Sequence, residues 1–287
     1  MTTGIRQRGR RGPDPRALRS IVIALVSTVV VFGGLGWIIV HAPGWPQVQA
    51  SFLNREVFEE ALPGLLDAFL VNIQLFMIAE VLVLGFGLVL AVMRGLPGPV
   101  FLPIRVMSNV YTDVFRAIPG VLVIFVLGFG IPGLGLVDPR TDQRLFGILA
   151  LTLVYSAYVS EVYRAGIESI HPSQEAAARS LGLSRLQALR YVIVPQAVRR
   201  VIPPLLNDFI GLQKDTVLVS FIGVVEIFRF AQIESAATYN FTPYVAVALV
   251  FIVVTVPLIH IVDWLAGRDR AGPRPRAAAA PPGLGAT

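Results

Sequence analysis

The sequence contains no cysteine, which excludes disulfides, thiolate metal sites and cysteine nucleophiles. Charge is scarce too. Charged residues make up 15% of the 287 positions, whereas an ordinary soluble domain carries roughly 25%. Histidine occurs only at His41, His171 and His260, in no ligand spacing such as HExxH, so no metal site is expected. No GxxxxGK[ST] phosphate loop is present, so no cofactor is expected on this chain, and any ATP site must belong to another polypeptide. The apolar runs are continuous and do not alternate, which argues against a β-barrel. The net charge of +6 invites a nucleic-acid reading. The arginines, however, sit beside the apolar runs and form no separate basic domain, so no nucleic-acid partner is expected.

What is present is apolar. Hydrophobic residues make up 55% of the chain, and the mean hydropathy is +0.70. Several runs reach the roughly 20 residues needed to cross a bilayer core. The expected class is all-α: a polytopic membrane bundle of about six transmembrane helices. Residues 1–19 form an arginine-rich head, and residues 20–41 a first span read as an uncleaved anchor. Residues 42–65 read as a loop with an interfacial helix. Further spans are expected at about 66–93, 112–136 (after a slanted helix from Leu102), 145–166 and 243–265, with a broken apolar stretch at 197–228. The third span should end in a glycine-proline turn at GFGIPGLG. Residues 66–266 form the core, and the tail, residues 267–287, is expected to be disordered.

Arginines set the orientation. Six lie in the head, Arg94 and Arg105 between the second and third spans, five in the segment after the fourth, and Arg268 and Arg270 after the last. With six crossings all of these fall on one side, so both termini are expected to be cytoplasmic in a multi-pass plasma-membrane protein.

Residues 172–195 read as a soluble helical hairpin. Pro172-Ser173 starts a helix with Ser173 as cap, and Glu175 suits the dipole of the first turn. Gly182 holds the place of a C-terminal glycine. Ser184 and Gln187 have capping-box spacing. Leu186, Leu189 and Ile193 share one face, and Pro195 should end or kink the second helix. Such a hairpin either lies on the lipid surface or fits a groove on a soluble partner.

Here the residues carry a resemblance. Glu175-Ala-Ala-Ala-Arg-Ser-Leu-Gly182-Leu-Ser, followed by Tyr191-Val-Ile-Val-Pro195-Gln-Ala, resembles the EAA loop of ABC importer permeases, closest to the polar amino-acid uptake family. Six residues separate Glu175 from Gly182 where that family has five, which places Ala176 at the usual glutamate position. Asp113–Leu122, Ala157–Ile167 and Leu212–Glu226 are similar to further segments of the family, in the same order. The resemblance implies a five-helix type I importer core on a bacterial inner membrane. It implies two permease subunits, identical or related, with an extracytoplasmic amino-acid-binding protein. It also implies a dimer of ATPase subunits, carrying ATP and Mg, docked on Gln174, Glu175, Ala176, Ala177, Arg179, Ser180, Leu181, Gly182 and Leu183.

Charges inside a membrane are costly and usually face the bundle interior. The candidates are Asn72, Glu80, Asp113, Arg116, Glu161, Arg164, Asp208, Lys214 and Asp215. Arg116 could hold a substrate carboxylate and Glu161 an ammonium. Alternatively Arg116 pairs with Asp113, and Glu161 with Arg164, three residues away in each case. Lys214 and Asp215 either contact substrate or form an ion pair that pins a bend, with a rising helix to about residue 212 and a short one at 217–228. The glycines of GFGLVL serve helix packing rather than phosphate binding. The rival functions are an ion-gradient-driven secondary transporter, which would not need the hairpin, and an intramembrane enzyme, for which no nucleophile–base pair is in place.

Overall fold

The computed structural model describes residues 15–270 except Leu136 and Pro139, with side chains described over 19–265. The expected head as far as residue 14, and the tail beyond Arg270, lie outside the described residues. All regular structure among the described residues is helical. The chain divides into two units, one as far as Asn54 and one from Arg55 onward.

The first unit holds α1 (Pro15–Val40) and α2 (Trp45–Phe52). At 1.5 Å per residue, the 26 residues of α1 reach about 39 Å, more than a bilayer core. Its surface is apolar on every side, with Val29, Phe32 and Trp37 all exposed. The hydroxyls of Ser27 and Thr28 both donate to the Ala24 carbonyl, at 2.9 and 2.7 Å, so neither needs water within the span.

The second unit begins with α3 (Arg55–Arg94), which includes the residues expected as a second span but starts eleven positions earlier and keeps Pro63 inside. Then come α4 (Leu102–Ala117), α5 (Gly120–Phe125), a wide π turn at Val126–Gly130, and α6 (Ile131–Gly133). The third span expected at about 112–136 is therefore broken: the Pro99–Ala117 and Gly120–Gly133 arms meet at 104°. The cause is Pro119, which forces Ile118 into an extended conformation (ψ 131°) and ends α4. GFGIPGLG is helical as far as Gly133, and the chain turns only at Gly135 (φ 68°).

After α7 (Gln143–Glu168) the hairpin comprises α8 (Pro172–Ser180) and α9 (Arg185–Ala188), and a π turn at Leu189–Ile193 leads into α10 (Val194–Asp215). A tight 3-10 segment, Thr216–Ile222, occupies the first half of the place where a short helix was expected. The next helix, α11 (Ile227–Thr238), starts only after Gly223, whose φ of 93° ends the 3-10 segment. α12 (Thr242–Arg270) closes the chain. Among the described residues, four helical segments are long and apolar enough to cross a membrane, and six are if each bent pair counts as one.

α7 is the central strut. Its Ala150, Leu151, Val154 and Val159 pack with Leu75, Ala79 and Val83 of α3, Ile124 of α5 and Leu212 of α10. Gly87, from GFGLVL, lies against Val159. A second apolar cluster joins Leu65 and Phe69 of α3 to Ile227 and Ala231 of α11 and Ala246 of α12. α7 and α10 are in tight contact at Gly166, where an added Cβ would meet the Val201 side chain at 2.0 Å. Only glycine fits that crossing, and the hairpin therefore hangs from two helices held in direct contact.

Candidate functional site

The hairpin is built from local chemistry. Pro172 takes the first helical position, which suits a residue without an N–H, so the cap falls one residue before the expected Ser173. His171 is that cap: its Nδ1 accepts from the Ser173 amide at 3.2 Å. At the other end of α8, the amide of Leu183 donates to the Ala178 carbonyl and that of Gly182 to Arg179, at 3.3 and 3.0 Å. With Gly182 at φ 88°, this is a Schellman stop. Ser184 and Gln187 form the expected capping box, in both directions, at 3.3 and 2.8 Å. Ala178 and Ala188 are buried, while Leu181 and Leu186 at the tip are 83% and 72% exposed. Pro195 does not end the second helix. It sits in the first turn of α10, and the wide turn before it makes room for the ring. That wide turn also breaks the expected apolar face, leaving Leu186 and Leu189 exposed and Ile193 half-buried.

Of the remaining docking candidates, Ala176, Ala177 and Arg179 are exposed. Gln174 accepts from Gln196 at 3.5 Å, and Ser180 donates to the Ala177 carbonyl at 2.8 Å. Glu175 lies 3.7 Å from Arg185, across the turn.

Near the hairpin end of α7, Glu161 gathers three arginines. Its carboxylate is 2.7 Å from Arg94, 2.8 Å from Arg164 and 3.4 Å from Arg116, and Arg164 also reaches Glu168 at 2.8 Å. Arg94, only 10% exposed, is held on its other side by Asn109 at 2.6 Å. Arg116 thus pairs with Glu161 and not with Asp113. It stands in the last turn of α4, beside the elbow at Pro119, and not near the start of a span. Arg94 was missed as a partner of Glu161, because sequence separation hides it.

A polar cavity of about 250 Å³ opens between α7, α10 and the start of α5, lined by Gly120, Tyr155, Tyr158, Asn207, Asp208 and Asp215 among others. Asp215 accepts a 2.7 Å hydrogen bond from the Tyr155 hydroxyl, and Lys214 makes no ion pair among the described residues. The bend is therefore not pinned by a Lys214–Asp215 pair. One carboxylate oxygen of Asp208 is buried without a hydrogen-bond partner. The Arg116 guanidinium lies 5.9 Å from the ring centre of Tyr158, one of the lining residues. The structure thus brings Arg116 and Glu161 together and places Asp215 with Asp208. Tyr155 and Asn207 lie outside the motifs found in the sequence, and Tyr158 lies inside one, Ala157–Ile167, without having been singled out.

Asn72 has a structural place. Its amide donates to Thr216 and to Glu226, at 3.0 and 2.9 Å, and its carbonyl accepts from the Ile227 amide at 3.0 Å. Glu226, fully buried, caps α11 through the amides of Phe228 and Arg229 at 3.1 and 2.7 Å.

Comparison with known proteins points one way. The probable glutamine ABC transporter permease protein GlnP of Bacillus subtilis (strain 168) is 36% identical over 204 residues, 70% of this chain and 91% of that protein. The glutamate/aspartate import permease protein GltK of Escherichia coli O157:H7 is 37% identical over 177 residues, 60% of this chain and 77% of that one. A crystal structure of an amino acid ABC transporter with histidines superposes with a TM-score of 0.66 at 32% identity, covering 72% of this chain and 94% of that chain. The inward-facing MetNI methionine ABC transporter, at 17% identity and a TM-score of 0.54, covers 75% of this chain and 98% of that one and shares the fold. Residues 84–270 match the family described as the inner membrane component of binding-protein-dependent transport systems, and this chain belongs to that family.

Proposed function

We propose that this chain is the transmembrane permease subunit of an ATP-driven importer for a polar amino acid, with both termini on the cytoplasmic side. One observation carries the reading. A hairpin fixed by a Schellman stop and a capping box presents exposed Leu181 and Leu186 at its tip, in a chain without a nucleotide-binding loop. A soluble partner that hydrolyses ATP, with Mg, would cover that tip, with residues 174–177 and 179–183 as its contact. Gly166 and Val201 then pass the partner's movement directly into α7 and α10. A second permease subunit and an extracytoplasmic binding protein complete the assembly.

The cavity suits a zwitterion. Asp208 and Asp215 offer carboxylates to an ammonium, and Arg116, near Tyr158, offers a guanidinium to a carboxylate. Glu161, already held by three arginines, acts as a strut rather than the ammonium site assigned from sequence. The relatives, permease proteins by name, do not favour an ion-gradient carrier.

The test is reconstitution. Chain, ATPase and binding protein in sealed vesicles should accumulate a radiolabelled polar amino acid only when ATP is supplied to the hairpin side. Gly182→Val should abolish co-purification of the ATPase. Accumulation by the chain alone, driven by an ion gradient, would overturn the reading.

A further inference from the structure

A second pocket, of about 340 Å³, borders the Thr216–Ile222 segment. Its walls include Ser220, Phe221, Phe129, Arg229 and Gln232. Leu218 lines the first cavity and Ser220 to Ile222 line the second, so the same 3-10 segment borders both. By the arginine distribution, this second pocket is on the side opposite the hairpin.

Two groups here have no structural task. Ser220 is 4% exposed, and its hydroxyl finds no hydrogen-bond partner. A buried hydroxyl left in that state is destabilising, and a bound acceptor would satisfy it. Arg229 is exposed, its guanidinium is held only by the neutral Gln232 at 3.0 Å, and it makes no ion pair among the described residues. The amides at the start of α11 are not available to a ligand. Ile227 is taken by Asn72, and Phe228 and Arg229 by Glu226. What the pocket offers is therefore one guanidinium, one buried hydroxyl, the Gln232 amide and two aromatic walls.

We infer that this pocket is an outer receiving site for the α-carboxylate of the incoming amino acid. Arg229 and Ser220 donate to the carboxylate, while Phe129 and Phe221 border the remainder of the molecule. The inference rests on the importer reading and adds a first station before the acidic cavity. The 3-10 segment borders both stations. An acidic side chain of the delivering protein has the same chemistry, and kinetics separate the two sources. A site for the free amino acid governs the maximal rate of transfer, whereas a contact with the delivering protein governs how much of that protein is needed.

The experiment uses the whole complex in proteoliposomes, with loaded binding protein as the varied reagent and the twenty standard L-amino acids, radiolabelled, as probes. Arg229→Gln should lower the maximal uptake rate about tenfold and Ser220→Ala about threefold, with the half-saturating concentration of binding protein unchanged. Arg229→Lys should recover part of the rate. A raised half-saturation at unchanged maximal rate would assign Arg229 to protein docking and overturn the inference, as would no change in either parameter. If Arg229→Gln fails to assemble with its ATPase, Ser220→Ala and Arg229→Lys decide by the same two parameters. A wild-type complex that accumulates none of the twenty would defeat the amino-acid reading itself, and this inference with it.

Discussion

Glu161 Oε1 lies 2.7 Å from Nη1 of Arg94, a residue 67 positions earlier and only 10% exposed. The pair ties the hairpin end of α3 to that of α7. Arg116, from the end of α4, joins it at 3.4 Å. One carboxylate thus fixes three helices to each other where the proposed partner would push.

Glu161→Gln should leave Arg94 largely buried and uncompensated. A loss of about 2 kcal/mol is expected, since removing one member of a buried pair is costly and these groups are partly solvated. Thermal unfolding of the purified chain in detergent measures it. Arg94→Gln combined with Glu161→Gln should cost less than the two single losses together.

Gly166→Leu should separate α7 from α10, because no side chain fits against Val201. Overpacking of this kind costs about 1–3 kcal/mol. Gly166→Ala with Val201→Ala should recover most of the stability. Recovery in the double variant, followed by the same unfolding assay, distinguishes a packing clash from a lost function.

Gly182→Ala should strain the hairpin by about 1–2 kcal/mol, the cost of a left-handed conformation for a residue with a Cβ. The effect should be read in partner binding more than in the melting of the bundle, since the tip is exposed. Co-purification of the ATPase, set beside the melting temperature, tests this. Equal loss in both would contradict it.

Asn72→Leu removes three hydrogen bonds at once and leaves Glu226 and the Ile227 amide short of a partner. A loss of about 2–3 kcal/mol is expected, again by thermal unfolding. Asn72→Asp should be no better, because a second carboxylate would face Glu226.

Asp208→Asn and Tyr155→Phe address the acidic cavity. The first should lower uptake about tenfold by removing a charged hydrogen-bond acceptor. The second frees Asp215 from its 2.7 Å partner and should shift the apparent affinity more than the maximal rate. Unchanged uptake in both variants would remove this cavity from the pathway.

The sequence by itself determined whatever depends on neighbours a few positions apart. Apolar runs long enough to cross a bilayer, the Gly182 stop and the Ser184–Gln187 box are all local, because a helix satisfies its own backbone within four residues. The family resemblance was local as well, carried by short motifs in order. Tertiary structure decided what depends on residues far apart. Glu161 could be matched to Arg164 by spacing, but Arg94 and Arg116 reach it only because α3, α4 and α7 converge. Asp215 lies next to Lys214 in the chain, and yet its partner is Tyr155, since a helix turns neighbouring side chains about 100° apart. A single span was expected to run through Pro119, and the 104° bend there belongs to the fold, where the proline ends α4 and α5 packs against the central helix.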